Sequence, residues 1–385
     1  MALPVTGRAI RPEWTLAEGL AHLNHGSFGA TLRCVQIEQQ RLRRLMEANP
    51  TRFFLRDVPP GIEAVRRRLA AWLGARAEDL ALVENATAGA NAVLKSLRLS
   101  PGDEILCTSH VYGAVGRTID QVCARSGAVR VQVDLAFPVV DPAALGPALA
   151  RRITRRTRLV VVDHVTSATA LVLPVADAVA VARGAGVPIL VDGAHAPGMV
   201  PLDLEALGAD FYVGNLHKWV CSAKGCALLW ARPGSDRSWL VPTVTSHLSD
   251  EPFPAPFDWT GTRDPTAWLS LPAALDFFDE LGWDAVREYN RALCLAGAQL
   301  VLDAQGAESP APASMIGSIA TLPLPGDFPG TQAEANRVMA RLREDHGVHP
   351  MPVPFGGRLW VRISAHLYNE IGEYARLAGV LAGGR

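Results

Sequence analysis

The chain has 385 residues, 49% of them hydrophobic, and a formal net charge of −1. That length exceeds one ordinary core and suggests about two domains. The near-neutral charge gives no electrostatic case for nucleic acid or for an anionic membrane surface.

Six cysteines (Cys34, Cys107, Cys123, Cys221, Cys226 and Cys294) stand without CxxC spacing. Reduced, packed thiols are expected, not a disulfide framework or a zinc site. The arginines Arg151, Arg152, Arg155, Arg156 and Arg158 read as a solvated face. No apolar run approaches the roughly 18 residues needed to cross a bilayer. The opening Met-Ala-Leu-Pro-Val lacks a basic stretch followed by an apolar one, so no signal peptide and a cytoplasmic, soluble protein are expected.

Helical and extended patterns alternate from about residue 60 to 230. Ile62, Val65, Leu69 and Leu73 fall at helical spacing, and 86–97 reads as a second helix. Strand-like runs cover 80–83, 104–107, 129–133, 159–162 and 189–191. Continuous apolar strands separated by helices predict an α/β unit with a mostly parallel sheet covered on both faces. Residues 232–265 lack helical periodicity and read as a long excursion before a helix at 272–281. Then come an extended run at 318–324, a helix at 333–344, a strand at 358–364 and a last helix, the pattern of a smaller α+β unit. The expected division is an N-terminal segment, 1–30, associating with the smaller domain, a large domain, 31–265, and a small C-terminal domain, 266–385.

Four features carry candidate chemistry. The run Val191-Asp192-Gly193-Ala194-His195 is an apolar strand ending in an acid, where open α/β sheets place ligands. Asp192 there fits a protonated ring nitrogen, and equally a helix N-cap or a metal ligand. Lys218, between His217 and Trp219 after an apolar strand, is badly placed for solvent, and burial would lower its pKa toward the nucleophilic amine. An ordinary surface lysine is the competing reading.

Glu84-Asn85-Ala86-Thr87-Ala88-Gly89 turns a strand into a helix, offering backbone N–H groups and a hydroxyl to a phosphate. A plain N-cap explains it as well. Arg362, inside a strand, requires a partner, either a substrate carboxylate or an internal acid.

Together these strings resemble the class V, fold-type I pyridoxal 5′-phosphate (PLP) enzymes, and within them the isopenicillin N epimerase-like group. The resemblance runs from Leu23-Asn-His-Gly-Ser-Phe-Gly29 to Arg362-Ile-Ser364. It includes Asn85-Ala-Thr87, His164-Val-Thr-Ser167, Asp192-Gly-Ala-His-Ala-Pro197, His217-Lys-Trp219 and Gly261-Thr-Arg-Asp264.

It implies that Lys218 carries the cofactor as a Schiff base and then moves the Cα proton. Asp192 would hold the ring nitrogen, His195 and Ser167 would reach the phenolic oxygen, and Ala86, Thr87 and His217 would cradle the phosphate. Tyr112 would lie over the ring face, and Arg362 would bind the substrate α-carboxylate, with Asn24 and His25 nearby. Thr262 would serve the neighbouring subunit's cofactor, implying a homodimer with shared active sites. Two departures stand out: Val111 replaces an acid often found before the stacking ring, and the loop between Ser238 and Trp259 is short for an epimerase of a bulky tripeptide.

The resemblance leaves the reaction open. A persulfide mechanism needs a mobile cysteine shortly before the substrate arginine, and no cysteine lies between Cys294 and Arg362. Epimerisation is the leading expectation, with Lys218 on one face and Tyr112 as the second acid. Carbon–sulfur β-elimination is the alternative, aminotransfer a weaker third, and an inactive PLP-binding scaffold the non-enzymatic one. Arg52 to Arg56 and Thr243 to Asp258 are read as loops where substrate specificity resides.

Overall fold

The computed structural model describes residue 3 and residues 5–138 and 141–383. Seven strands form the large sheet: β1 (Leu80–Val83), β2 (Glu104–Thr108), β3 (Val129–Val133), β4 (Thr157–Asp163), β5 (Ile189–Asp192), β6 (Phe211–Asn215) and β7 (Ala227–Ala231). Their order is β1-β7-β6-β5-β4-β2-β3. Pairings from β3 through β6 are parallel, and β7 is antiparallel to both β1 and β6. The fold class is therefore α/β with a mostly parallel sheet flanked by helices.

Strands β1, β2, β5, β6 and β7 are buried at every position, as sheets covered on both faces require. One face packs Leu82, Leu106, Val160, Val162 and Val191 into the largest core, and the other packs Ala81, Ile105, Leu159, Val161 and Leu190 into a second. Each fully buried aliphatic side chain stabilises the fold by about 2 kcal/mol. This fixes the strand ends on which the site is built.

The C-terminal part adds a three-stranded antiparallel sheet, β8 (Ile319–Pro323), β9 (Met351–Phe355) and β10 (Arg358–Ser364), in the order β8-β10-β9. Its core takes Val301 and Leu302 from the helix Trp283–Gln305 and Leu377 and Leu381 from the helix Ile371–Gly383. Ala21 and Leu23 enter the same core, and the Ser364 N–H donates to the Leu23 carbonyl at 2.8 Å. The helix Leu271–Leu281 instead packs Leu271, Leu275 and Phe278 into the large core.

The stretch 52–56 is not a loop. The helix Pro50–Arg52 runs through a widened turn, Phe53–Asp57, into the helix Val58–Trp72. Phe53 is buried in the large core, which holds that turn in place.

Candidate active site

The carboxyl ends of β4, β5 and β6 open into a cavity of about 200 Å³, closed over by the starts of two helices and by the N-terminal segment. Asp163, Asp192 and Asn215 are the last residues of those strands, and all three line it together with Lys218.

Asp192 is 3% exposed, and its Oδ1 accepts the Ala194 N–H at 3.0 Å. Burial raises its pKa, while Lys218 pulls it down. The residue after it has to be glycine, because a Cβ at Gly193 would lie 2.1 Å from the Tyr212 hydroxyl.

Lys218 follows β6, in a turn where the Cys221 N–H donates to the Lys218 carbonyl at 2.9 Å. Cys221 adopts φ +54°, a conformation costly for a residue with a side chain and typical of functional turns. Burial, and after it the Arg362 charge, bring the Lys218 pKa down from 10.5 to about 7. Its Nζ lies 3.2 Å from His195 Nε2.

The hydrogen-bond roles at His195 follow from its other neighbour. Trp219 Nε1–H faces His195 Nδ1 at 3.4 Å, and an indole only donates. His195 therefore carries its proton on Nε2, directed at Lys218, which accepts it as the free amine. Burial holds His195 neutral, and whenever Lys218 is protonated its charge acts in the same direction.

An anion cradle lies beside them. The helix Ala86–Ser96 is capped by Asn85, whose Oδ1 accepts the Ala88 N–H at 2.8 Å. Asn215 Oδ1 takes the Ala86 N–H at 2.8 Å. Among the described residues no group takes the Thr87 N–H, and Thr87 lines the cavity. His217 donates from Nδ1 to the Cys226 carbonyl at 3.1 Å, and burial lowers its pKa to about 4. A bound dianion would raise it again.

Arg362, in β10, is 5% exposed. One Nη donates to the Ser167 carbonyl at 2.5 Å and lies 3.4 Å from its hydroxyl. The other donates to Ser27 Oγ at 2.8 Å and lies 3.4 Å from Asn24 Oδ1. Among the described residues no carboxylate pairs with it, and burial lowers its pKa to about 10. A buried guanidinium held by neutral oxygens lacks its natural anion. Ser27 and Ser167, which grip it, both line the cavity.

The remaining expected residues are placed as follows. Tyr112 lines the cavity, is 40% exposed, and donates its N–H to Asp163 Oδ1 at 3.2 Å. His25 does not line the cavity. Its Nε2–H donates to the Lys218 carbonyl at 3.0 Å, and its Nδ1 meets the Tyr368 hydroxyl at 2.7 Å. Thr262 is exposed and does not line the cavity of its own chain.

Asp163, Asn215 and Trp219 are site residues that sequence reasoning assigns no role. The signal for Asp163 is the repetition of one pattern, since Val-Val-Val-Asp163 ends β4 just as Ile-Leu-Val-Asp192 ends β5.

The cofactor that the resemblance implies, PLP, fits this donor set. A buried carboxylate suits its ring nitrogen, an uncapped helix amide its phosphate, a neutral buried lysine its aldehyde, and the Nε2–H of His195 its phenolate. His195 lines the cavity with its Nε2 3.2 Å from the Lys218 amine, so it is within the space that the cofactor would occupy.

The class-V aminotransferase family model matches residues 54–377. Isopenicillin N epimerase of Streptomyces clavuligerus is 33% identical, over 96% of this chain and 98% of its own. L-cysteine desulfhydrase of Arabidopsis thaliana is 28% identical, over 93% of this chain and 86% of its own. The apo cysteine desulfurase of Thermococcus onnurineus superposes with a TM-score of 0.81 over 100% of this chain and 99% of its own, and at 18% identity that likeness concerns the fold alone. The chain belongs to the class-V aminotransferase family of PLP-dependent enzymes.

Proposed function

We propose that the protein acts at Cα of a small amino acid or amino-acid derivative, as an epimerase in which Lys218 and Tyr112 exchange the Cα proton. The observation that carries this is a buried Arg362 with no counter-ion among the described residues, together with a Lys218 amine that loses its proton at about pH 7. One is built to take the α-carboxylate, the other to take a proton. PLP, when bound, withdraws electrons from the substrate Cα so that a bond to it can break.

The rest belongs to the chain's own groups. Arg362, gripped by Ser27 and Ser167, fixes the carboxylate, and so orients Cα toward Lys218 Nζ. His195 donates its Nε2 proton where negative charge collects and keeps the lysine an amine. Tyr112, at the exposed side of the cavity, supplies a hydroxyl for the return proton.

A second reading is carbon–sulfur β-elimination, in which the same base removes the Cα proton and a sulfur substituent leaves. It is favoured by a relative named L-cysteine desulfhydrase, matched over 86% of its own length. A persulfide route is not favoured, because no cysteine lines the cavity among the described residues and Cys294 is buried in the small core.

The same reading makes the enzyme a cytoplasmic homodimer that shares Thr262 across its interface. Arg263 stacks over Trp268 at 4.0 Å and pairs with Glu84, and Asp264 pairs with Arg43 at 2.8 Å, so an anchored loop presents Thr262 outward. All six cysteines are free, as a reducing compartment would keep them.

The deciding experiment incubates the PLP-loaded enzyme with a panel of amino acids in deuterated water. Cα exchange with inversion is expected; release of pyruvate, ammonia or sulfide from cysteine moves the assignment to the lyase. Absence of any Cα exchange across the panel refutes both.

A further inference from the structure

Asp163 is a second buried carboxyl in the cavity, and neither the cradle nor the lysine accounts for it. It ends β4 as Asp192 ends β5, and the two are direct register partners on adjacent parallel strands. They are 2% and 3% exposed and line the same cavity. Asp163 Oδ1 accepts the Tyr112 N–H, whereas its Oδ2 is buried with no partner among the described residues.

Two carboxyls on neighbouring strand ends, both withdrawn from water, each resist ionisation, and the charge of one opposes that of the other. The neighbours decide which of them keeps its proton. Each carboxyl accepts one backbone N–H, but Asp192 alone has Lys218 beside it, whose charge, whenever the amine is protonated, favours the anion. Among the described residues no cation bonds Asp163, and burial followed by the Asp192 charge oppose its ionisation. Oδ1 is engaged as an acceptor, so the proton belongs on Oδ2, the orphaned atom.

We propose that Asp163 is a positioning residue, the neutral member of an acid pair. Its Oδ2–H leaves Asp192 as the single anion facing the cofactor ring, and its Oδ1 ties the Tyr112 backbone to that pair. The inference rests on the PLP reading for its consequence, but not for its protonation.

The test compares Asp163→Asn and Asp163→Ala with the wild type. In the apoprotein at neutral pH, the infrared difference between wild type and Asp163→Asn should contain the C=O band of a neutral, deuterium-sensitive carboxylic acid. A carboxylate band in its place overturns the proposal whether or not PLP binds.

In the PLP-loaded protein, Asp163→Asn keeps an acceptor and an N–H donor without charge. The pH at which its visible band titrates should stay unchanged, and PLP retention should stay within about twofold. Asp163→Ala should lose PLP about tenfold faster. A titration displaced by a unit or more in Asp163→Asn would mean that a charge had been removed, and would overturn the assignment. So would Asp163→Ala behaving as wild type. A wild-type protein that never acquires the visible band sinks the functional reading instead, and leaves the infrared result to decide the pair.

Discussion

The indole N–H of Trp219 faces Nδ1 of His195 at 3.4 Å, and His195 Nε2 in turn faces Lys218 Nζ at 3.2 Å. A residue adjacent to the lysine in sequence therefore reaches it again through space and sets which nitrogen of the imidazole is protonated. Replacing the indole by phenyl removes that constraint while keeping most of the buried ring. Trp219→Phe should cost about 1 kcal/mol at this contact, or about fivefold in PLP affinity. It should also shift the pH at which the bound cofactor's visible band titrates. An unmoved titration, alongside an ordinary loss of thermal stability, would reduce Trp219 to a packing residue.

Lys218 gives a pH dependence with a definite sign. With its pKa lowered from 10.5 to about 7, the amine is free at mildly alkaline pH. The rate of PLP uptake by the apoprotein should rise as pH passes through about 7 and then level off. Folding stability follows the same shift: between about pH 7 and 10.5 the unfolded chain binds a proton here that the folded chain does not, so stability rises with pH across that window. Below it both states are protonated, and this contribution is gone. Lys218→Met should flatten this part of the unfolding profile relative to wild type. An uptake rate still climbing at about pH 9 would show an ordinary lysine.

Much of this was open to reading in the chain itself. Buried parallel strands such as Leu-Val-Val-Val162 are continuous apolar runs, and Lys218 stands in a local string that solvent exposure does not explain. The reversed direction of β7 is another matter. Ala-Leu-Leu-Trp-Ala is buried throughout, and its antiparallel pairing comes from β1 and β6 on either side. His25 is the clearest non-local case. Its ring bonds Tyr368, 343 positions away, and the Lys218 carbonyl, 193 away. No spacing rule in the N-terminal segment encodes that. Asp163 was within reach, since it repeats the strand-then-acid pattern of Asp192; only its pairing with Asp192 required the sheet order.

Arg362 should separate substrate binding from cofactor binding. Its four oxygen partners come from Ser167, Ser27 and Asn24, spread over a fork that a lysine ammonium cannot span. Arg362→Lys should raise KM for carboxylate substrates on the order of 10- to 100-fold, the worth of a charge-assisted forked bond. The visible band of the bound cofactor should persist. An unchanged KM would move the carboxylate site elsewhere.

Gly29 supports the lysine turn from behind. Its φ is +67°, and a Cβ there would lie 2.0 Å from the His217 carbonyl oxygen and 2.9 Å from Lys218 Cα. Both obstacles are backbone, so neither can rotate away. Gly29→Ala must therefore displace the His217–Lys218 peptide or the N-terminal segment, as well as paying the left-handed backbone strain. The expected destabilisation exceeds about 1 kcal/mol. Because the displaced atoms carry the reactive amine, kcat should fall by more than the folded fraction does. Gly379→Ala is the matched control. It lies exposed in the helix Ile371–Gly383, its Cβ would meet nothing within 4 Å, and it should stabilise by about 0.5–1 kcal/mol with activity intact. If urea unfolding and kcat show both alanines behaving alike, the contact between the N-terminal segment and the lysine turn does not hold Lys218 in place.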